Sequence, residues 1–149
     1  MGMIDISEKE KIPRRATAKG EIRLSEESVE AIKNDEVKKG DVFQVAEIVA
    51  IQAVKDTPRS LPHCHPIPIE GIDVYFEFVE EKILQVRCEV KAIYKTGVEM
   101  EALAGVNAAL LTVWDMVKYL EKDRKGQYPQ TRIKNISVTE KKKGDIDGS

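Results

Sequence analysis

His63, Cys64 and His65 stand together in the string LPHCHPIPI, and they include both histidines of the chain. Imidazole and thiol groups can hold a metal, move a proton or bind a substrate. Three neighbouring ligands on one extended segment do not close a tetrahedron unaided. No CxxC or HxxxH spacing elsewhere supplies a fourth ligand, so no metal is expected. Pro62, Pro66 and Pro68 fix φ and remove backbone donors, which predicts a stiff extended segment rather than ordinary helix or strand. Polar side chains on such a rigid frame suit a binding site. The blander alternative keeps His63 on the surface and packs Cys64 and His65 inside.

A second set lies on a long apolar-rich segment predicted to be a helix from Val98 to about Lys122. Glu101, Gly105, Ala108, Thr112 and Asp115 fall within one narrow stripe of it, and Lys118 stands one turn beyond Asp115, at about 60° around the axis. The small residues leave space above the stripe. An ammonium beside a carboxylate in a partly desolvated site serves as an acid–base pair. The alternative is a solvated i,i+3 ion pair. The apolar neighbours Val113, Trp114, Met116 and Val117 weigh against it, because an ion pair embedded among them is expensive.

Basic residues scattered towards the chain ends form a third set: Lys9, Arg14, Arg15, Lys19 and Lys141 to Lys143. If the ends fold over one pocket, they can hold phosphates. Neither a P-loop nor a GxGxxG string is present, so the ordinary nucleotide-binding loops are missing.

These residues need elements to position them. Met1 to Pro13 reads as a charged arm, ordered by contact. Thr17 to Leu24 predicts a first strand. Ser25 caps a short helix that ends before Lys39-Gly40. Asp41 opens a longer helix to about Asp56, with Val42, Val45, Ala46, Val49 and Ala53 expected along its buried face. Gly71 to Glu80 and Leu84 to Ala92 both alternate apolar and polar residues, as the two strands of a hairpin do, with Cys88 on the apolar side. After the long helix, Lys134 to Glu140 predicts the last strand and Lys141 to Ser149 a polar, mobile tail. The order β-α-α-β-β-α-β reduces to an α+β, ferredoxin-like pattern: an antiparallel sheet covered by helices.

The 149 residues suffice for one domain, 1–149. Lys plus Arg is 24 and Asp plus Glu 26, a formal charge of −2, which speaks against a dedicated nucleic-acid binder. With 42% hydrophobic and 34% charged residues the chain is expected to fold around a real core, and 5% aromatics make that core aliphatic. Two cysteines read as reduced cytoplasmic thiols. The N-terminus lacks the apolar stretch of a signal peptide, and Glu99, Glu101, Asn107, Asp115 and Lys118 break the longest apolar run, so no membrane association is expected.

The strings KGDVFQVAEIVAIQAVK (39–55), LPHCHPIPI (61–69) and KTGVEMEALAGVNAALLTVWDMVK (95–118) closely resemble the MoaC family, the cyclic pyranopterin monophosphate synthases of molybdenum cofactor biosynthesis. The opening MIDISEKEKIPRRATAKG (3–20) and the closing ISVTEK (136–141) match more loosely and in the right order. The resemblance covers nearly the whole chain. It implies a lyase that converts 3′,8-cyclo-7,8-dihydro-GTP to cyclic pyranopterin monophosphate with release of pyrophosphate. No redox step and no cofactor are implied.

Carried over by position, the resemblance makes Asp115, Lys118 and Lys141 catalytic. His63, Cys64, His65, Glu99, Met100 and Glu101 become substrate contacts; at the first of these, His63, the family often has leucine. Lys9, Arg14 and Lys55 take positions that face the triphosphate. The chain departs from the family after Lys141. Where a glycine-rich GGKSG string is usual, it runs Lys141-Lys142-Lys143-Gly144-Asp145, so Lys142 or Lys143 can share the role of Lys141. The resemblance also implies a homohexamer, a trimer of dimers, with active sites at the dimer interface. The long helix, apolar on every side, independently asks for a covering subunit. Two other readings stay open: a non-catalytic nucleotide- or pterin-binding module, and a metal-binding protein that uses His63-Cys64-His65.

Overall fold

The computed structural model describes residues 1–144. In chain order the elements are β1 (Ile12–Arg23), α1 (Glu26–Lys33), α2 (Val42–Lys55), α3 (Thr57–Ser60), β2 (Ile69–Glu80), β3 (Ile83–Tyr94), α4 (Glu99–Glu121) and β4 (Arg132–Lys143). The four strands form one antiparallel sheet in the order β2-β3-β1-β4. Read from the other edge this is the ferredoxin-like order, and the expected α+β class holds.

Alternation decides which face of the sheet is covered. Ala16, Ala18, Gly20 and Ile22 of β1 and Leu84, Val86, Cys88, Val90 and Ala92 of β3 are buried on one face, while alternate residues such as Lys19, Glu21, Gln85 and Arg87 turn away. Against this face lie Ala102, Val106, Ala109, Leu110, Val113 and Val117 of α4, with Ala46, Ala50 and Val54 of α2 beyond. The fully buried part of the core holds no aromatic side chain, Phe43, Phe76 and Phe78 pack at its edge, and the core's small residues let the layers approach closely. A Cβ on Gly105 of α4 would stand 2.8 Å from Cys88 Sγ and 3.0 Å from Val54 Cγ2.

The helix starts follow from their caps. Ser25 accepts a hydrogen bond from Ser28 N and Asp41 accepts one from Gln44 N, so each satisfies a donor that the first turn leaves free. The buried face of α2 differs from the expected one. It runs through Val42, Ala46, Ala50 and Val54, strictly every fourth residue, and Val45 is exposed. The alanines sit where α2 crosses α4, and close approach outweighs the larger apolar residues there.

Three boundaries also move. β1 begins at Ile12, five residues before the predicted start, because β3 and β4 pair with its first residues. Segment 61–64 is a turn closed by Cys64 N donating to Leu61 O at 2.9 Å, and the extended stretch begins only after it. Lys141, Lys142 and Lys143 belong to β4, opposite Ala16, Arg15 and Arg14, and are not part of a tail. The rest of the expected tail, beyond Gly144, lies outside the described residues.

By length and composition α4 could cross a membrane, but half of its most apolar window is buried inside the protein. A core helix satisfies the same criterion.

Candidate active site

Two clusters carry the predicted site residues, and α4 holds one at each end. At its N-terminal end a cavity of about 320 Å³ is lined by Lys9, His63, Cys64, His65, Glu99, Met100 and Glu101, with Ile4 and Ile6 of the N-terminal arm closing one side. The arm is held there by a 2.8 Å hydrogen bond between His65 Nε2 and the Ile4 carbonyl oxygen. The proline-framed segment therefore does what a rigid frame should: it aims its polar groups at a neighbouring helix start.

The two glutamates of this cavity have opposite environments. Burial raises the pKa of Glu99, but a 2.6 Å ion pair with Lys141 and the nearby Arg14 charge outweigh it and hold the carboxyl below its ordinary value. Glu101 is 2% exposed. Burial, and then the charge of Glu99, push its carboxyl above the ordinary value. A carboxylate and a carboxyl that keeps its proton more readily thus stand two residues apart. This is the pairing that general acid–base chemistry uses. Burial also raises the Cys64 thiol, with Glu101 adding to the effect, so Cys64 is disfavoured as a thiolate.

Arg14 is buried rather than open to solvent. Its Nε donates to Tyr94 O at 3.2 Å and its Nη2 to Lys95 O at 3.1 Å, so these donors fix the turn that leads into Glu99. Lys55 is exposed in the last turn of α2 and lies outside the lining of the cavity. The structure brings Lys141 to the cavity through Glu99, although Lys141 itself remains exposed. Lys142 pairs instead with Glu140 at 3.6 Å.

At the other end of α4, Lys118 Nζ lies 2.9 Å from Asp115 Oδ1. Hydrogen bonds from Lys118, and then from Lys39, lower the Asp115 pKa, and the same pair raises that of Lys118. The predicted desolvation is not found within one chain: the Asp115 side chain is 54% exposed and that of Lys118 42%. Both border a shallow pocket walled by Leu111, Trp114 and Ile133, and Leu111 is 65% exposed.

A third member of this cluster is one that sequence reasoning does not single out. Lys39 Nζ reaches Asp115 Oδ2 at 3.2 Å and the Asp115 carbonyl oxygen at 2.9 Å. In the sequence Lys39 reads only as part of the turn before the α2 cap. Its position at the head of the matched string 39–55 is the one signal available, and only the fold shows what it meets.

From Glu101 to Asp115 the helix rises about 21 Å, so the two clusters are not one site within one chain. Among the described residues no three of His, Cys, Asp and Glu gather as metal ligands.

The MoaC family pattern matches residues 3–144. The chain belongs to the MoaC family. It is 55% identical to a probable cyclic pyranopterin monophosphate synthase of Thermococcus kodakarensis, over 96% of this chain and 91% of that one. It is 58% identical to the protein of the same name from Methanosarcina mazei, over 95% and 90% of the two chains. A Thermoplasma acidophilum protein, again so named, is 52% identical over 97% of this chain and its own whole length. The two clusters on α4 are therefore those of a MoaC family member.

Proposed function

We propose that this protein is a cytoplasmic cyclic pyranopterin monophosphate synthase. It rearranges 3′,8-cyclo-7,8-dihydro-GTP to cyclic pyranopterin monophosphate and releases pyrophosphate, as a lyase of molybdenum cofactor biosynthesis. The observation that carries this reading is the placement of acid–base groups and cations in two clusters, one at each end of α4. The relatives' shared name supplies the reaction.

The roles divide by environment. Glu101, buried and with its pKa raised, donates and recovers a proton; Glu99, paired with Lys141, stays ionised. His63, Cys64, His65 and Met100 line the cavity where the ring system binds. Asp115, Lys118 and Lys39 supply a second acid–base group and positive charge. Lys9 and Lys55 face the triphosphate, Lys141 is a catalytic lysine paired with Glu99, and Arg14 holds the cavity wall. Lys118, an ammonium held 2.9 Å from Asp115, is placed to give up a proton as an acid.

The site is composite, made by two chains of a dimer within a homohexamer. An exposed groove runs along α4 past Met100, Leu103, Asn107 and Leu111, and a second continues past Trp114 to Asp115 and Lys118. A two-fold axis near Asn107 and Ala108 would lay the partner's α4 antiparallel in that groove. Met100 of one chain would then lie near Asp115 of the other, uniting the two clusters and covering Leu111. Desolvation of the Asp115–Lys118 pair follows from the same step.

The test is turnover. Purified protein given 3′,8-cyclo-7,8-dihydro-GTP should form cyclic pyranopterin monophosphate and one pyrophosphate per product, equally well after dialysis against a chelator. Binding without turnover would favour the non-catalytic module. Stoichiometric zinc, lost together with activity, would make His63-Cys64-His65 a metal site.

A further inference from the structure

The connection between α1 and α2 carries Lys39 to Asp115, and it is bent at both ends. Asp35 has φ 54° and Gly40 φ 117°, both left-handed, and between them Val37 is buried while Lys38 and Lys39 are exposed. A lysine on an exposed turn has four flexible side-chain bonds and a mobile backbone, so its ammonium is poorly placed unless something holds the turn. Here α4 holds it. Tyr119 Oη accepts a 2.9 Å hydrogen bond from Lys38 N, and the Lys38 ammonium lies over the Tyr119 ring, 5.2 Å from its centre. Tyr119 stands one helical turn after Asp115, on the same side of α4. The backbone anchor is therefore one residue away from Lys39, and the carboxylate that Lys39 meets is one turn away from the anchor.

We infer that Tyr119 is a positioning residue: by holding Lys38 N–H it fixes the turn that presents the Lys39 ammonium to Asp115. Its hydroxyl touches no reacting atom and acts through Lys39. The inference rests on the reading of Asp115 as a working group. Asp115 is faced by Lys118 from its own helix and by Lys39 from the α1–α2 connection, and Tyr128 stands near Lys118.

Tyr119→Phe removes the acceptor and keeps the ring and its cation contact, so the fold is not at risk. The experiment measures the Asp115 carboxyl titration by carbon NMR, and steady-state turnover, in the wild type, Tyr119→Phe, Lys39→Ala and the double variant. The expected result is a rise in the Asp115 pKa in Tyr119→Phe, in the direction that Lys39→Ala gives and smaller. Turnover should fall about three- to tenfold in kcat with KM within about twofold. In the double variant Tyr119→Phe should add nothing to Lys39→Ala, because both act through one ammonium. An unchanged Asp115 titration in Tyr119→Phe, or losses that multiply in the double variant, would overturn the inference. If the wild type fails to turn over, the functional reading fails, and the carboxyl titration still decides the role of Tyr119.

Discussion

Lys118 Nζ and Asp115 Oδ1 are 2.9 Å apart on the open face of α4, with about half of each side chain exposed. In a single chain such a pair is a screened surface contact that contributes little to stability. Its apolar surroundings, Leu111, Trp114 and Ile133, acquire a purpose only when another surface covers them.

Asp115→Asn and Lys118→Ala should therefore each leave folding and assembly intact while lowering kcat by at least about 100-fold, the usual contribution of a positioned proton-transfer group. Thermal melts and light scattering would check the first part, and product formation the second. Near-normal turnover in either variant would remove the pair from the mechanism.

Glu121 gives a prediction for stability and pH. Its carboxylate accepts from Ser25 N at 2.9 Å, from the hydroxyls of Ser25 and Thr131 at 2.6 Å each, and from the Ser28 hydroxyl. Burial raises its pKa, but these donors outweigh burial and leave the folded value below the ordinary one. A depressed folded value contributes stability above the unfolded pKa, and that contribution is lost as pH falls through the folded one. Glu121→Gln should cost about 2 kcal/mol at neutral pH, the scale of hydrogen bonds to a charged group. Urea unfolding should show the gap between wild type and variant closing below about pH 4. A gap that stays constant with pH would contradict the assignment.

Gly105 is a packing test. An alanine in mid-helix normally favours helix by about 1 kcal/mol. Here its Cβ would press on Cys88 Sγ at 2.8 Å. Gly105→Ala should instead destabilise by roughly 1–3 kcal/mol, as overpacking does. Cys88→Ala should cost less in that background than in the wild type. Independent, additive effects would show that the two residues do not compete for space.

Much of this was legible before the fold was known. The alternation of 72–78 and 84–92 marks a hairpin with one buried face, and Ser25 and Asp41 mark helix starts, because these signals are local. The buried face of α2 was less legible: alanines and valines are both apolar, and which of them faces α4 depends on how closely the helices cross. The extent of β1 and β4 depends on their partners, so the lysines 141–143 read as a tail. In the site, the proline frame and the Asp115–Lys118 spacing are sequence patterns. The pairs Lys39–Asp115 and Glu99–Lys141 join residues far apart in the chain, and the burial that separates Glu101 from Glu99 is a tertiary property.

Mixing two inactive variants tests the composite site most directly. Lys118→Ala removes a group from the cluster at one end of α4, and Lys141→Ala removes one, carried by β4, from the cluster at the other. If each site takes its two clusters from two chains, a mixed dimer holds one doubly defective site and one intact site. Co-refolding equal amounts should then restore activity to roughly a quarter of the wild-type value, given random pairing across a two-fold interface. Activity that stays at the level of the separate variants, in mixed oligomers shown to have formed, would place both clusters' work within single chains and contradict the composite site.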